Sequence, residues 1–146
     1  MKSLQETRQQ LLQLLARREY SARELLQKLR DGHAEENIAT VLAQLQEQGL
    51  QSDARYAEMW VRHRRQQGYG PIRIQGELQQ KGISSELARE CLDDGTDWFD
   101  SARACRERRF GSERPGDIKA RAKQARFLQY RGFSADQIRF ALEADG

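Results

Sequence analysis

The chain has 146 residues, and its 25 Lys and Arg against 22 Asp and Glu give a formal net charge of +3. Hydrophobic residues make up 38% and the mean hydropathy is −0.90, so the chain is unusually polar, and no apolar run in it is long enough to span a membrane. Two cysteines and an N-terminus without an apolar signal segment predict a cytoplasmic protein.

Three glycines, Gly32, Gly82 and Gly132, are spaced 50 residues apart. Six, nine and ten positions after each of them stand small or apolar residues, and this spacing places them on one face of a helix. Prolines and β-branched residues are few, which favours helix along the whole chain. The sequence therefore predicts an all-α fold of three tandem three-helix repeats that form an elongated, curved array.

The first predicted unit covers residues 1–51. Its first helix runs from Leu4 to about Glu19 and carries a stripe of leucines. Ser21 and Glu24 form a capping box that begins a second helix. The third helix spans about residues 34–48, because its inward apolar residues continue up to a terminating glycine.

The second predicted unit covers residues 52–95. Ser52 is a good N-cap for its first helix, which ends before the break Gly68-Tyr69-Gly70-Pro71. Pro71 suits the first turn of the next helix, where its missing N–H costs nothing. That helix ends at Gly82, and Ser84 caps a short third helix.

The third predicted unit covers residues 96–146 and starts near Asp97. A flexible loop at residues 111–116, which holds two glycines and a proline, separates its first helix from a strongly basic second helix, which Asp117 caps. Ser134 and Gln137 form a capping box before the last helix.

No set of residues in the sequence is suited to catalysis. The two histidines and two cysteines lack the close spacing of a zinc site, and no glycine-rich phosphate loop follows a predicted strand. We therefore expect no metal, no cofactor and no enzymatic activity.

The basic residues are more informative, because residues 97–146 hold eleven Lys and Arg against eight Asp and Glu and so carry the whole charge surplus. Lys119, Lys123 and Arg126 lie along one side of the basic helix, which favours an acidic or phosphate-bearing partner. Tyr69, between two glycines, is expected to be exposed. The candidate partner-binding residues are Arg17, Arg18, Arg62, Arg65, Tyr69, Arg73, Lys119, Lys123, Arg126 and Arg131. For the arginines at helix ends, stabilisation of the helix dipole is the alternative role.

Three stretches of the sequence resemble the RecX family, regulators of the bacterial recombinase RecA. The first is Leu15–Leu25, with Arg17-Arg18-Glu19-Tyr20-Ser21; the second runs from Asp53-Ala54-Arg55-Tyr56-Ala57 through Gly68-Tyr69-Gly70-Pro71 to Gly82-Ile83; the third is Lys123–Ser134, followed by Gln137, Ile138 and Leu142. The three stretches occur in order and touch all three predicted units. Ile72, Gly76 and Ala125 depart from residues that are often more polar or basic in the family.

The resemblance implies a protein that binds RecA and the RecA–DNA filament and lowers recombinase, ATPase and coprotease activity, by capping the filament or by lying in its groove. Such a protein would tune recombination and the SOS response, and we expect it to be a monomer. Direct, weak contact with DNA is compatible with the basic helix. The alternative is a helical module that binds DNA without RecA, since short helices around tight turns also describe helix-turn-helix proteins.

Overall fold

The computed structural model describes residues 1–143, and within them it contains nine α-helices and no strand. The helices are α1 (Leu4–Arg17), α2 (Ala22–Leu29), α3 (Glu35–Glu47), α4 (Asp53–Gln66), α5 (Pro71–Gln80), α6 (Ser85–Leu92), α7 (Trp98–Phe110), α8 (Ile118–Arg131) and α9 (Ala135–Glu143). The predicted all-α fold of three-helix repeats is confirmed. Of the predicted third unit, residues 144–146 lie outside the described residues.

The helices begin where the sequence predicts, because the capping side chains find their backbone partners. Ser21 Oγ accepts a hydrogen bond from Glu24 N at 3.2 Å, and Glu24 Oε1 accepts one from Ser21 N at 3.0 Å. Ser134 and Gln137 make the same reciprocal pair before α9. At the end of α8, Gly132 adopts a φ of +98°, which glycine reaches without strain.

The buried apolar side chains form three clusters, one each from α1–α3, α4–α6 and α7–α9. We call these helix groups unit one, unit two and unit three, and propose that they correspond to residues 1–51, 52–95 and 96–146. Only Trp98, among the described residues, packs against two of the clusters, those of units two and three. The accessible surface is 8965 Å², against about 7,700 Å² for a compact protein of this mass, as an elongated array requires.

The junction between units two and three, here the second junction, is made by the backbone. Gly70 N donates to Arg131 O at 2.6 Å, and Ile72 N donates to Gly132 O at 3.0 Å. The approach is so close that a Cβ on Gly70 would lie 2.5 Å from the carbonyl of Gly132. Glycine at the start of α5 therefore brings the start of one helix onto the end of another.

The junction between units one and two, here the first junction, is made by side chains. Asp53 Oδ1 accepts a hydrogen bond from Ala22 N at 2.9 Å, and the buried Gln51 bridges the units by donating from Nε2 to Tyr20 O at 3.1 Å and to Asp53 Oδ1 at 3.0 Å. Glu19 and Arg55 add an ion pair of 2.7 Å at the surface. The two junctions thus join similar units by different chemistry.

Candidate partner-binding surface

A row of exposed side chains runs along α8 on the side opposite its buried face. We call it the α8 ridge; it consists of Lys119, Lys123, Arg126 and Tyr130. These residues are spaced by four, three and four positions, so 3.6 residues per turn bring all of them into one narrow stripe. All four are exposed, and Tyr130 is 81% exposed, an unusual position for an aromatic side chain. The ridge is about 16 Å long at 1.5 Å per residue.

The electrostatics of the ridge favour an anionic partner. No Asp or Glu occurs between Ile118 and Arg131, and the three ridge cations make no ion pair with any residue of the described chain. Lys119 lies in the first turn of α8, where the helix dipole adds to the positive potential. Unpaired cations in a row keep their full attraction for an external negative charge.

A groove lies beside the ridge, between α8 and α9. Its volume is about 670 Å³, and both apolar and polar side chains line it. Arg121 and Arg139 stand at its edge, paired with Glu143 at 3.5 Å and with Asp136. We call it the α8–α9 groove; its lining residues are Ile72, Arg121, Ala125, Gln129, Gly132, Phe133, Ser134, Ala135, Ile138, Arg139 and Leu142.

The expectation that Tyr69 is exposed is wrong, because its ring is half-buried among three guanidinium groups. Arg64, Arg73 and Arg131 place their Cζ atoms 3.9, 4.5 and 4.8 Å from the ring centroid. The flanking glycines let the backbone turn sharply at this point, and cation–π attraction then holds the ring at the second junction.

Two of the predicted contact residues, Arg73 and Arg131, are committed to the same junction. Arg73 donates from Nη1 to Tyr130 O at 3.2 Å, and Arg131 donates from Nη1 to Gln67 O at 3.1 Å. Both guanidinium groups therefore hold units two and three together in addition to any contact with a partner.

Glu77 lies within unit two and is linked to the second junction through Arg73. It accepts hydrogen bonds from Arg64 Nη2 at 2.7 Å and from Trp60 Nε1 at 3.0 Å, and Arg73 lies 3.4 Å away. Burial alone would raise the pKa of the Glu77 carboxyl, but these hydrogen bonds and the arginine charges outweigh it and hold the pKa below its ordinary value. The group stays ionised within the structure.

The remaining candidates separate into paired and unpaired side chains. Arg18 stacks on the Tyr20 ring at 3.6 Å, and Arg65 donates to Thr96 Oγ1 at 2.7 Å, so both are used internally. Arg17 and Arg62 are exposed. Arg62, however, borders a cleft that also carries the carboxylates of Glu58, Glu90 and Asp94. Positive and negative charges are therefore mixed around it. Of the ten candidates, the structure brings Lys119, Lys123 and Arg126 together on one open face.

The sequence reasoning missed Arg64, which organises the second junction, and Arg106, which is completely buried. Arg106 donates to Ala141 O at 3.0 Å, to Gly111 O at 2.7 Å and to Glu113 O at 2.9 Å, and so fastens the 111–116 loop to α9. The signal for Arg106 was its place one residue after the inward Cys105 on α7. A basic residue on the inward stripe is a candidate for binding carbonyl groups inside the protein.

No group of three or more His, Cys, Asp or Glu within residues 1–143 is arranged to hold a metal ion. Cys91 and Cys105 are free and buried, and burial raises the pKa of both thiols, which favours their protonated form. No helix among these residues is long and apolar enough to cross a membrane.

Comparison with known proteins agrees with this architecture. Residues 52–92 match the model of the second three-helix domain of RecX, and residues 96–142 match that of the third. The crystal structure of RecX from Lactobacillus salivarius has the same fold, with a TM-score of 0.83 and 24% sequence identity over 96% of this chain and 94% of that one.

Relatives with higher sequence identity align with nearly the whole length of this chain. The regulatory protein RecX of Halorhodospira halophila is 50% identical over 91% of this chain and 84% of its own length. The regulatory protein RecX of Chromohalobacter salexigens is 45% identical over 92% and 90%. With identity at this level over almost the full length, and with the same three-helix domains, the chain belongs to the RecX family of regulatory proteins.

Proposed function

We propose that this protein binds the RecA recombinase and its filament on DNA, and lowers recombinase, ATPase and coprotease activity without catalysing a reaction itself. In this role it acts in the cytoplasm, tunes recombination and the SOS response, and works as a monomer. The observation that carries the proposal is the α8 ridge, whose three cations make no ion pair within residues 1–143, on an elongated member of the RecX family.

The shape of the protein supports this role. A filament repeats one protein surface along its length, so an elongated array of three units can contact more than one subunit at once. Each additional contact is then intramolecular, and the overall affinity rises without any single strong site. The second junction holds α8 in a fixed position relative to unit two, so the ridge is presented on a rigid element.

The first experiment measures ATP hydrolysis by RecA from the same organism on single-stranded DNA while this protein is added. We expect ATPase activity to fall at well below one copy per RecA monomer, since capping or groove binding acts on many subunits together. Unchanged ATPase activity on DNA that is saturated with RecA would contradict the proposal.

The ridge is tested by the double variant Lys123→Glu, Arg126→Glu. Both side chains are exposed, so the helical circular dichroism stays unchanged while inhibition weakens. The matched control is Arg30→Glu, Arg89→Glu, which makes the same change of net charge at exposed positions in units one and two. If both double variants inhibit equally well, the ridge has no part in binding.

Direct DNA binding without RecA is the second candidate function. It is favoured by Tyr130, whose exposed ring stands at the end of three cations, since an aromatic beside phosphate-binding side chains can stack on a base. Binding of naked oligonucleotide that weakens steeply with salt and is lost in Tyr130→Ala would support it.

A further inference from the structure

We infer that the α8–α9 groove and the α8 ridge together bind an amphipathic, acidic helix of a protein partner, its apolar side in the groove and its carboxylates on the ridge. The inference rests on the proposed function, because it names the kind of surface on the recombinase that this protein contacts. It concerns protein, and nucleic acid is the competing outcome of the test.

Exposed apolar side chains favour a protein segment. Ile72 lines the groove and is 60% exposed, and Ile118, at the start of α8, is 87% exposed. Ile118 stands three and seven residues before Arg121 and Ala125, which line the groove, so it extends the same face of α8. Large aliphatic side chains left in water beside a partly apolar groove are typical of an interaction site.

The charges give the bound helix an orientation. The ridge side of the groove carries three cations without an ion pair in the described chain. The two arginines that line the groove, Arg121 on α8 and Arg139 on α9, are already paired with Glu143 and Asp136. A ligand helix with carboxylates along one edge is therefore attracted with that edge against the ridge.

The dimensions match a short helix. The ridge is about 16 Å long, which corresponds to about three helical turns. An amphipathic segment of that length presents apolar residues at i, i+3 or i+4, and i+7 along one side, which is the usual way in which a helix fills a groove. The volume of about 670 Å³ accommodates a few such side chains.

A nucleic acid would use only part of this surface. Its phosphates need the ridge cations, and a base could stack on Tyr130, but neither contact covers Ile72 and Ile118. Their position beside the groove distinguishes the two partners, because apolar side chains contribute to binding a helix and contribute little to binding a phosphate backbone.

The test variant is Ile72→Glu, Ile118→Glu. These residues stand in the first turns of α5 and α8, where a carboxylate is favourable to the helix dipole, so the variant is expected to fold normally. The control is Leu12→Glu, Leu50→Glu, which replaces two partly exposed leucines of unit one and makes the same change of charge. Circular dichroism and thermal unfolding confirm the fold of both.

Two quantities are measured for each protein: its binding to RecA without DNA, and the concentration that half-inhibits the RecA ATPase on single-stranded DNA. We expect the groove variant to weaken both at least about tenfold, since two apolar contacts are lost and two repulsive charges are added, while the control changes either by less than about twofold. Binding to a thymidine oligonucleotide is measured in parallel by fluorescence anisotropy.

The outcomes separate the two proposals. If the unaltered protein inhibits RecA and the groove variant inhibits equally well, the inference is overturned and the proposed function stands. Loss of oligonucleotide binding in Tyr130→Ala together with loss of inhibition, with no effect of the groove variant, assigns the surface to nucleic acid and also overturns it. If the unaltered protein neither binds nor inhibits RecA, the proposed function fails and the inference fails with it.

Discussion

The two junctions of this molecule join similar three-helix units at the N-cap of a second helix, yet they differ at that residue. At the first junction the N-cap of α2 is Ser21, whose side chain completes a capping box. At the second junction the N-cap of α5 is Gly70, which makes no side-chain cap and instead lets two backbones meet. The N-cap position of such a helix can therefore serve either the stability of that helix or close contact between two units.

The ion pairs near the two junctions also differ, in their length and in the exposure of their side chains. Glu77 is held by Arg64 at 2.7 Å in a largely buried pair, whereas Glu24 lies 3.6 Å from Arg18 and 3.4 Å from Lys81, with both cations more exposed. Exposed, long ion pairs contribute little, because water screens them. The Arg64–Glu77 pair joins α4 to α5 within unit two, so it stabilises the side of the second junction from which Arg73 reaches unit three.

The largest effect is expected from Gly70→Ser. Serine is the better N-cap in an isolated helix, but its Cβ would lie 2.5 Å from the Gly132 carbonyl, and backbone cannot yield cheaply. We expect a loss of about 3 kcal/mol of unfolding free energy in urea titration. At Gly32, where a Cβ meets nothing within 4 Å and φ is not positive, alanine should change stability by less than about 1 kcal/mol. Equal stability of the two variants would contradict the importance of the backbone contact.

The next largest effect is expected when the carboxylates of Glu77 and Glu24 are replaced in turn. Glu77→Gln removes the charge from the buried pair and should cost about 2 kcal/mol. Glu24→Gln keeps the capping box, which glutamine also completes, and loses only the long ion pairs, so it should cost less than about 0.5 kcal/mol. Thermal unfolding of both variants at pH 7 measures the difference, and a larger loss for the Glu24 variant would reverse our ranking of the two carboxylates.

A smaller and more local effect is expected from Gln51→Ala. Gln51 is 2% exposed, and its amide joins Tyr20 O, Asp53 Oδ1 and Gln46 Nε2 at the first junction. Its loss leaves the buried Tyr20 carbonyl without this donor, at a cost of about 1.5 kcal/mol. Amide hydrogen exchange should accelerate in unit one alone. Acceleration that spreads equally into unit three would show that the units unfold together.

The smallest effect is a pH dependence at the second junction. Because the pKa of Glu77 lies below the ordinary value of 4.5, its ionised form stabilises the fold above that pH, and this stabilisation is lost as the pH falls through the lower folded value. The Trp60 indole N–H, bonded to Glu77, reports the change in NMR spectra. We expect its resonance to shift below about pH 4.5 in the unaltered protein and to stay constant in Glu77→Gln. A shift of the same size in that variant would assign the titration to another group.

The helices could be predicted because their signals are local. Ser52, Ser84 and Asp117 accept hydrogen bonds from backbone N–H groups two or three residues into the following helix, and a sequence displays that spacing directly. The apolar residues after each repeated glycine likewise predict the inward faces of the third helices. The row of cations on α8 was visible for the same reason, since helical periodicity alone places them together.

The second junction could not be predicted, because its contacts join residues about 60 positions apart: Gly70 with Arg131, and Arg73 with Tyr130. Tyr69 illustrates the consequence. Two flanking glycines suggest an exposed turn, and nothing in the local sequence shows that three arginines close around the ring. Exposure of Ile72 and Ile118 was hidden too, since it depends on where neighbouring helices end.

Trp98, which packs against the cores of both unit two and unit three, affects how the molecule responds to force. Trp98 packs into the clusters of both unit two and unit three, so a force that separates those units must break backbone hydrogen bonds and expose this ring together. A force that separates unit one from unit two has to break only exposed ion pairs and a few side-chain hydrogen bonds. On the filament that we propose as the partner, a moving subunit would therefore separate unit one from the rest of the molecule before it separated units two and three.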